Sequence, residues 1–259
     1  VVAIVAMLAG GAAAAQQPAE VEGPERRGTL ANDIRLYVTA PLRARRPQWV
    51  RFGAVVGAVA FAYEYDDDVR ERFDTVVAPP DDAPDLRDAE DAVPAALAVG
   101  GTWLAAALLD DDAGRREARG MLEAAGLSTV ASYTLKQLAA RERPYETHDP
   151  DGFGNDGGAF PSTHTAAAFA IGTVLAESGN ERHRWLRRAL GYGLAAATAY
   201  RRIDHDAHWL SDTVAGAGLG IATARFVMRR RAADEPRGRL ELAPIADGLG
   251  IAYRVALRP

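Results

Sequence analysis

The chain of 259 residues contains no cysteine, which excludes disulfides, thiolate zinc sites and thiol nucleophiles together. Lysine is almost absent: of the 30 Lys+Arg residues only Lys136 is lysine, and all the others are arginine. Where arginine serves as the general cation, a position that keeps an ammonium calls for a compact point charge in place of a planar fork. Positive net charge is missing as well. The formal balance is −5, so no nucleic-acid partner is expected. Long unbroken apolar runs are scarce. The uncharged stretch 92–109 contains Pro94 and two glycines, 159–176 carries His164, and the runs 52–63, 189–200 and 213–224 hold only 12 residues each. A spanning helix needs about 20 residues, and 12 helical residues cover roughly 18 Å. The expectation is a soluble or peripherally attached protein with membrane-surface contact allowed; a membrane-embedded bundle is the rival.

Residues 1–15, VVAIVAMLAGGAAAA, read as a signal peptide that lacks a charged n-region and ends in an A-x-A site at Ala13-Ala14-Ala15. Export to the periplasm follows as an expectation. Residues 16–45 form a polar leader and a first short helix starting near Asn32-Asp33. A helical domain is expected over 46–231, with helices at Gln48–Tyr65, 92–109, 115–125, 128–142, 162–178, 182–201 and 207–231. The proline- and acid-rich segment Val77–Asp91 reads as a loop. Over 237–259 the pattern changes to alternation around Asp247-Gly248, the signature of a hairpin. An isolated hairpin is marginal in water, so it must pack on the bundle or on a partner. The expected fold class is all-α, a multi-helix bundle with a small C-terminal β-hairpin.

Three clusters carry chemistry. Lys136-(six residues)-Arg143-Pro144 places two cations seven residues apart, nearly two helical turns and hence on one face of a helix that Pro144 is expected to stop. Taken alone, this is an ordinary helix end with cations offsetting the dipole. Pro161-Ser162-Thr163-His164 opens an Ala-rich run, with Ser162 as a natural N-cap. The amides of such a first turn form an anion cradle, with His164 placed to face the same anion. Arg202-(five residues)-His208-(three residues)-Asp212 follows. At i and i+4 the carboxylate of Asp212 can hold one nitrogen of His208 and leave the other as nucleophile or base. Trp209 and Leu210 are expected on the core-facing side.

Together the three pieces resemble the signature of the type 2 phosphatidic acid phosphatase superfamily, K-x6-R-P, P-S-G-H and S-R-x5-H-x3-D. That superfamily includes lipid phosphatases, bacterial non-specific acid phosphatases and vanadium haloperoxidases. Here Thr163 replaces the glycine of the second motif, and Arg201 replaces the serine before Arg202. The resemblance implies that the 46–231 domain is a metal-independent phosphatase for phosphate monoesters or lipid phosphates and pyrophosphates. It implies that Lys136, Arg143, Ser162, Thr163 and Arg202 bind the phosphate. It further implies that His208 attacks phosphorus to give a phosphohistidine, that Asp212 orients His208, and that His164 protonates the leaving group. No metal or cofactor is implied; vanadate would act as an inhibitor, or as the cofactor in a haloperoxidase.

Three rivals stand beside this reading. A metal-dependent phosphohydrolase would use His164, Asp204, His205, Asp206, His208 and Asp212, but it leaves the three cations without purpose. A vanadate-dependent haloperoxidase shares the oxyanion site. A non-catalytic envelope interaction module would use the leader and the hairpin. The loop Tyr145–Phe160 resembles a calcium loop only superficially, since Pro150, Phe153 and the missing glutamate spoil the ligand pattern. It is expected to be a mobile lid or a substrate-selecting rim.

Overall fold

The computed structural model describes residues 30–40, 46–73, 93, 96–102, 104–105, 108, 111–179, 183–234, 238–245 and 248–255. The expected signal peptide, most of the leader and the Val77–Asp91 loop lie outside these residues. The fold is all-α. In chain order it comprises α1 (Leu30–Thr39), α2 (Arg46–Tyr63), α3 (Asp66–Phe73), α4 (Asp112–Ala139), α5 (Thr163–Glu177), α6 (Arg184–Asp204) and α7 (Leu210–Asp234), with further helical residues at 96–102 between α3 and α4.

α4 starts at an N-cap, Asp111, whose side chain accepts the amide of Ala113. It runs unbroken through Gly126, where two helices were expected. Gly126 lies in open space and costs about 1 kcal/mol relative to alanine. The buried stripe Met121, Ala124, Ser128, Ala131 and Leu135 carries the helical period across it. The helix stops at Ala140, which turns left-handed with φ 43° and donates its amide to the Lys136 carbonyl. Pro144 is therefore not the terminator, and Arg143 leaves the helix on which Lys136 sits. α3 was not anticipated, because DDDVRERF has no apolar period. Three aspartates in its first turn suit the positive end of the helix dipole.

α5 is the buried centre and packs against α4, α6 and α7. Its inward positions are small, so backbones meet directly. A Cβ built on Gly172 would fall 2.3 Å from the Gly191 carbonyl oxygen of α6, and one on Gly220 of α7 would fall 2.2 Å from the Ala166 carbonyl oxygen. Glycine is required there for close approach, not for an unusual φ. Met121, Ile171, Val174 and Val227 centre one apolar cluster, and Tyr37, Leu135, Ala166 and Leu219 centre a second. The tight α5–α7 contact has a functional effect: it brings the start of α7 against the start of α5, where the Ser162 amide donates to the Asp212 carbonyl at 3.0 Å.

Strands β1 (Gly238–Ile245) and β2 (Gly248–Val255) pair antiparallel, with Gly238 opposite Val255 and Ile245 opposite Gly248. Asp247 of the expected turn lies outside the described residues, and the site below draws on neither strand. Among the described residues no helix is long and apolar enough to cross a membrane.

Candidate active site

Lys136 comes from the last turn of α4, and its Nζ donates to the carbonyl of Gly158. Arg143 reaches the same glycine from the following segment: its Nη2 lies 3.9 Å from a Cβ built on Gly158. The two cations therefore converge although they do not share a helix face. Ser162 caps α5, its buried hydroxyl oxygen accepting from the Thr165 hydroxyl at 3.0 Å and the Thr165 amide at 3.4 Å. The Thr163 hydroxyl faces α4 instead, 3.0 Å from Ser132 Oγ. What Thr163 offers an anion is its first-turn amide, not its side chain. His164 follows in that turn, and Arg202 is buried near the end of α6.

His208 is buried in the segment just before α7 begins at Leu210. The i,i+4 pairing expected within one helix is thus made across a helix start. Nδ1 of His208 lies 3.6 Å from Asp212 Oδ2, longer than a hydrogen bond, and has no hydrogen-bond partner among the described residues. Asp212 is held from other sides: the Trp209 amide donates to Oδ2 at 2.9 Å, and Arg141 Nη1 donates to Oδ1 at 2.7 Å. Trp209 is buried as expected and fixes the segment further by donating its indole N–H to the Glu142 carbonyl at 3.0 Å.

The electrostatics are consistent with one cluster. Burial holds the His208 imidazole well below its ordinary pKa, and Lys136, Arg202, Arg143 and His164 lower it further, in that order. The neutral imidazole is therefore the favoured form of His208. Asp212 is pushed up to about 6 by burial, against the opposing pull of Arg141 and the Trp209 amide, with Asp66 adding to the rise. Above that pH it is the anion the imidazole needs beside it.

Arg141 was missed in the sequence. It lies inside the six variable positions between Lys136 and Arg143 and is completely buried. Its guanidinium donates to Asp212, to Ser211 Oγ at 2.8 Å, to Asp66 Oδ2 at 2.8 Å and to the Pro150 carbonyl at 2.8 and 3.0 Å. The Phe153 and Trp209 rings flank it at 4.8 and 5.2 Å. The available signal was three basic residues in eight positions of an otherwise helical segment. The Tyr145–Phe160 loop is tied down by the same residue. Its Pro150 carbonyl is fixed by Arg141, and the amides of Gly154 and Asn155 donate to Ala139 and Ala140. A rim fits this anchoring better than a freely mobile lid. Asp206 turns toward Arg70 at 3.5 Å, and among the described residues no group of three or more His, Asp or Glu side chains is placed to hold a metal ion.

A buried neutral histidine backed by a carboxylate, facing an ammonium, two guanidinium groups, a second histidine and a helix N-terminus, defines a site for an oxyanion and a nucleophile. Residues 117–235, a little under half of the chain, match the family model described as PAP2 superfamily. The lipid A 1-phosphatase of Porphyromonas gingivalis is 33% identical over 105 residues, 40% of this chain and 21% of that protein. The chain thus spans about a fifth of the length of this curated relative. No solved structure matches.

Proposed function

We propose that the protein is a phosphatase that hydrolyses phosphate monoesters, lipid phosphates or pyrophosphates among them, through a covalent phosphohistidine on His208. The observation that carries this reading is the electrostatic convergence of Lys136, Arg202, Arg143 and His164 on a buried, neutral His208. The three cations bind the equatorial oxygens of the phosphoryl group and stabilise the charge that spreads over them in the transition state. Ser162 Oγ accepts both of its intramolecular bonds and so keeps its own proton for a phosphate oxygen. Amides of the first turn of α5 add donors.

Nε2 of His208 attacks phosphorus in line. The P–N bond forms as the ester P–O bond breaks, and the electron pair of that bond leaves on the alcohol oxygen, which takes its proton from His164. Water then attacks the phosphohistidine, giving a proton to His164, and inorganic phosphate departs with His208 restored. Asp212 stabilises the positive charge on the imidazole throughout. No metal or cofactor takes part in this scheme, and vanadate blocks it as a phosphate mimic. The name of the relative, a lipid A phosphatase, supports a lipid-phosphate substrate and an exported, periplasmic protein in contact with the membrane surface.

The test is hydrolysis of an aryl phosphate by the purified chain, with and without EDTA, beside His208→Ala. Activity that survives chelation, stops with vanadate and vanishes in the variant is expected. Loss on chelation with recovery on a divalent ion would replace the scheme with metal chemistry. Peroxide-dependent bromide oxidation without ester hydrolysis would favour the haloperoxidase, and no turnover at all the interaction module.

A further inference from the structure

The phosphohistidine reading uses His208 and Asp212 but leaves unexplained a second buried carboxylate behind them. Asp66 is the first residue of α3 and is 1% exposed. Oδ1 accepts the Ser211 amide at 2.8 Å, and Oδ2 accepts the Ser211 hydroxyl at 2.6 Å and Arg141 Nη2 at 2.8 Å. It thus holds the first turn of α7 from one side and half of the Arg141 fork from the other. The other half of that fork holds Asp212 Oδ1. A buried carboxylate is costly unless paired, and surface charge would serve a helix cap equally well. Its position behind Arg141 has a geometric consequence: with Nη2 held by Asp66 and, together with Nε, by the Pro150 carbonyl, the guanidinium plane is fixed, and only one orientation of Asp212 satisfies Nη1 and the Trp209 amide together.

We infer that Asp66, resting on the phosphohistidine reading above, is a positioning residue for the nucleophile: through the Arg141 fork it sets the direction of the Asp212 carboxylate, which lies 3.6 Å from Nδ1 of His208. Asp66 touches neither substrate nor the reacting atoms. It acts through two intermediaries, and all the groups involved come from different parts of the chain. Around Asp212 these are Arg141 from the segment after α4, Asp66 from α3 and His208 from the segment before α7. Beyond His208 stand Lys136 of α4, Arg143, Arg202 of α6 and His164 of α5.

Asp66→Asn is the first test. The amide oxygen can still accept the Ser211 amide, but an NH2 in place of Oδ2 faces the Arg141 donors and cannot bond them. The expected result is a kcat lower by about 10²-fold, the cost of a small misplacement of reacting groups, with KM for an aryl phosphate little changed. The acid limb of the kcat profile should also move to lower pH, because a negative charge that raises Asp212 has been removed. Arg141→Lys is the second. It keeps the charge but lacks a fork that reaches both carboxylates, so kcat should fall comparably while the acid limb stays near its wild-type position. If Asp66→Asn does not fold, Arg141→Lys decides alone.

A kcat per folded molecule and an acid limb unchanged in Asp66→Asn, with only the melting temperature lowered, would overturn the inference and leave Asp66 a plain cap of α7. Wild-type kcat in Arg141→Lys would overturn it too. Failure of the wild-type chain to hydrolyse any phosphate ester removes the phosphatase reading itself, and this inference with it, an outcome distinct from either variant result.

Discussion

Replacing Arg141 by methionine tests the electrostatic framework under the site without reference to activity. Methionine matches much of the aliphatic stem and the flanking aromatic contacts, so the main loss is charge. Arg141 is fully buried, as are the side chains of the two carboxylates it bridges, Asp66 at 2.8 Å and Asp212 at 2.7 Å. Removing one partner of a buried ion pair costs about 3–5 kcal/mol. Here one cation serves two carboxylates, which places the cost near the upper end, about 5 kcal/mol. At about 2–4 °C per kcal/mol for a domain of this size, the melting temperature should fall by about 10–20 °C.

The loss must also depend on pH, and its sign is determined. The Asp212 carboxyl is already pushed up to about 6 by burial with Arg141 beside it; without the cation it rises further. A carboxyl whose folded value lies above its unfolded value contributes stability that is present at low pH and lost as pH rises through the folded value. The deficit of Arg141→Met relative to wild type should therefore be larger at about pH 8 than at about pH 5. Thermal denaturation followed by circular dichroism at both pH values measures it. A deficit below about 1 kcal/mol, the level of an exposed pair, or one equal at the two pH values, would refute the assignment of Arg141 as the counter-charge of the site.

Lys136→Arg should lower kcat/KM for an aryl phosphate by about 10²-fold, the loss typical of one misplaced donor, since a planar fork cannot reproduce the single bond from Nζ to Gly158; near-wild-type kinetics would mean that the chain's only lysine is incidental. Ser162→Ala removes the N-cap of α5 and should cost about 1 kcal/mol in a denaturant titration, together with a drop in kcat/KM that a cap-only role would not produce. Gly157→Ala should destabilise by about 3 kcal/mol, the upper range for overpacking, because a Cβ there would lie 2.2 Å from the Arg141 carbonyl oxygen, on backbone that cannot rotate away; an unchanged denaturation midpoint would show that the loop does not pack as described.

Most helices and the cap at Ser162 were legible in the chain itself, since each depends on neighbours in sequence. The apolar period placed α5 over Thr163–Glu177 within a residue or two of the expected 162–178. The spacing of lysine, arginine and histidine groups within an Ala-rich background suggested an oxyanion site, because clustered cations and histidines have little reason to recur among residues chosen for helix packing. Local pattern misled where the terminating force was tertiary. Gly126 looked like a break but is carried by core contacts on either side, and Pro144 looked like a stop although the chain had already turned at Ala140. Asp212 does lie beside Nδ1 of His208, but at 3.6 Å and without a hydrogen bond, and the two residues straddle the start of α7.

The buried charges behind His208 could not be read from sequence at all. Asp66 and Arg141 are 75 residues apart, and Arg141 and Asp212 are 71 apart. An aspartate opening an acidic helix and an arginine among many arginines carry no distinguishing local pattern. Only the meeting of α3 and the segment after α4 with the start of α7 buries all three side chains together. Only burial turns ordinary surface charges into partners that must satisfy one another. Sequence alone offered the basic and histidine groups proposed to meet a phosphate; tertiary structure decided which charges are held away from water behind them, because the strength of a charge pair depends on its surroundings and not on its place in the chain.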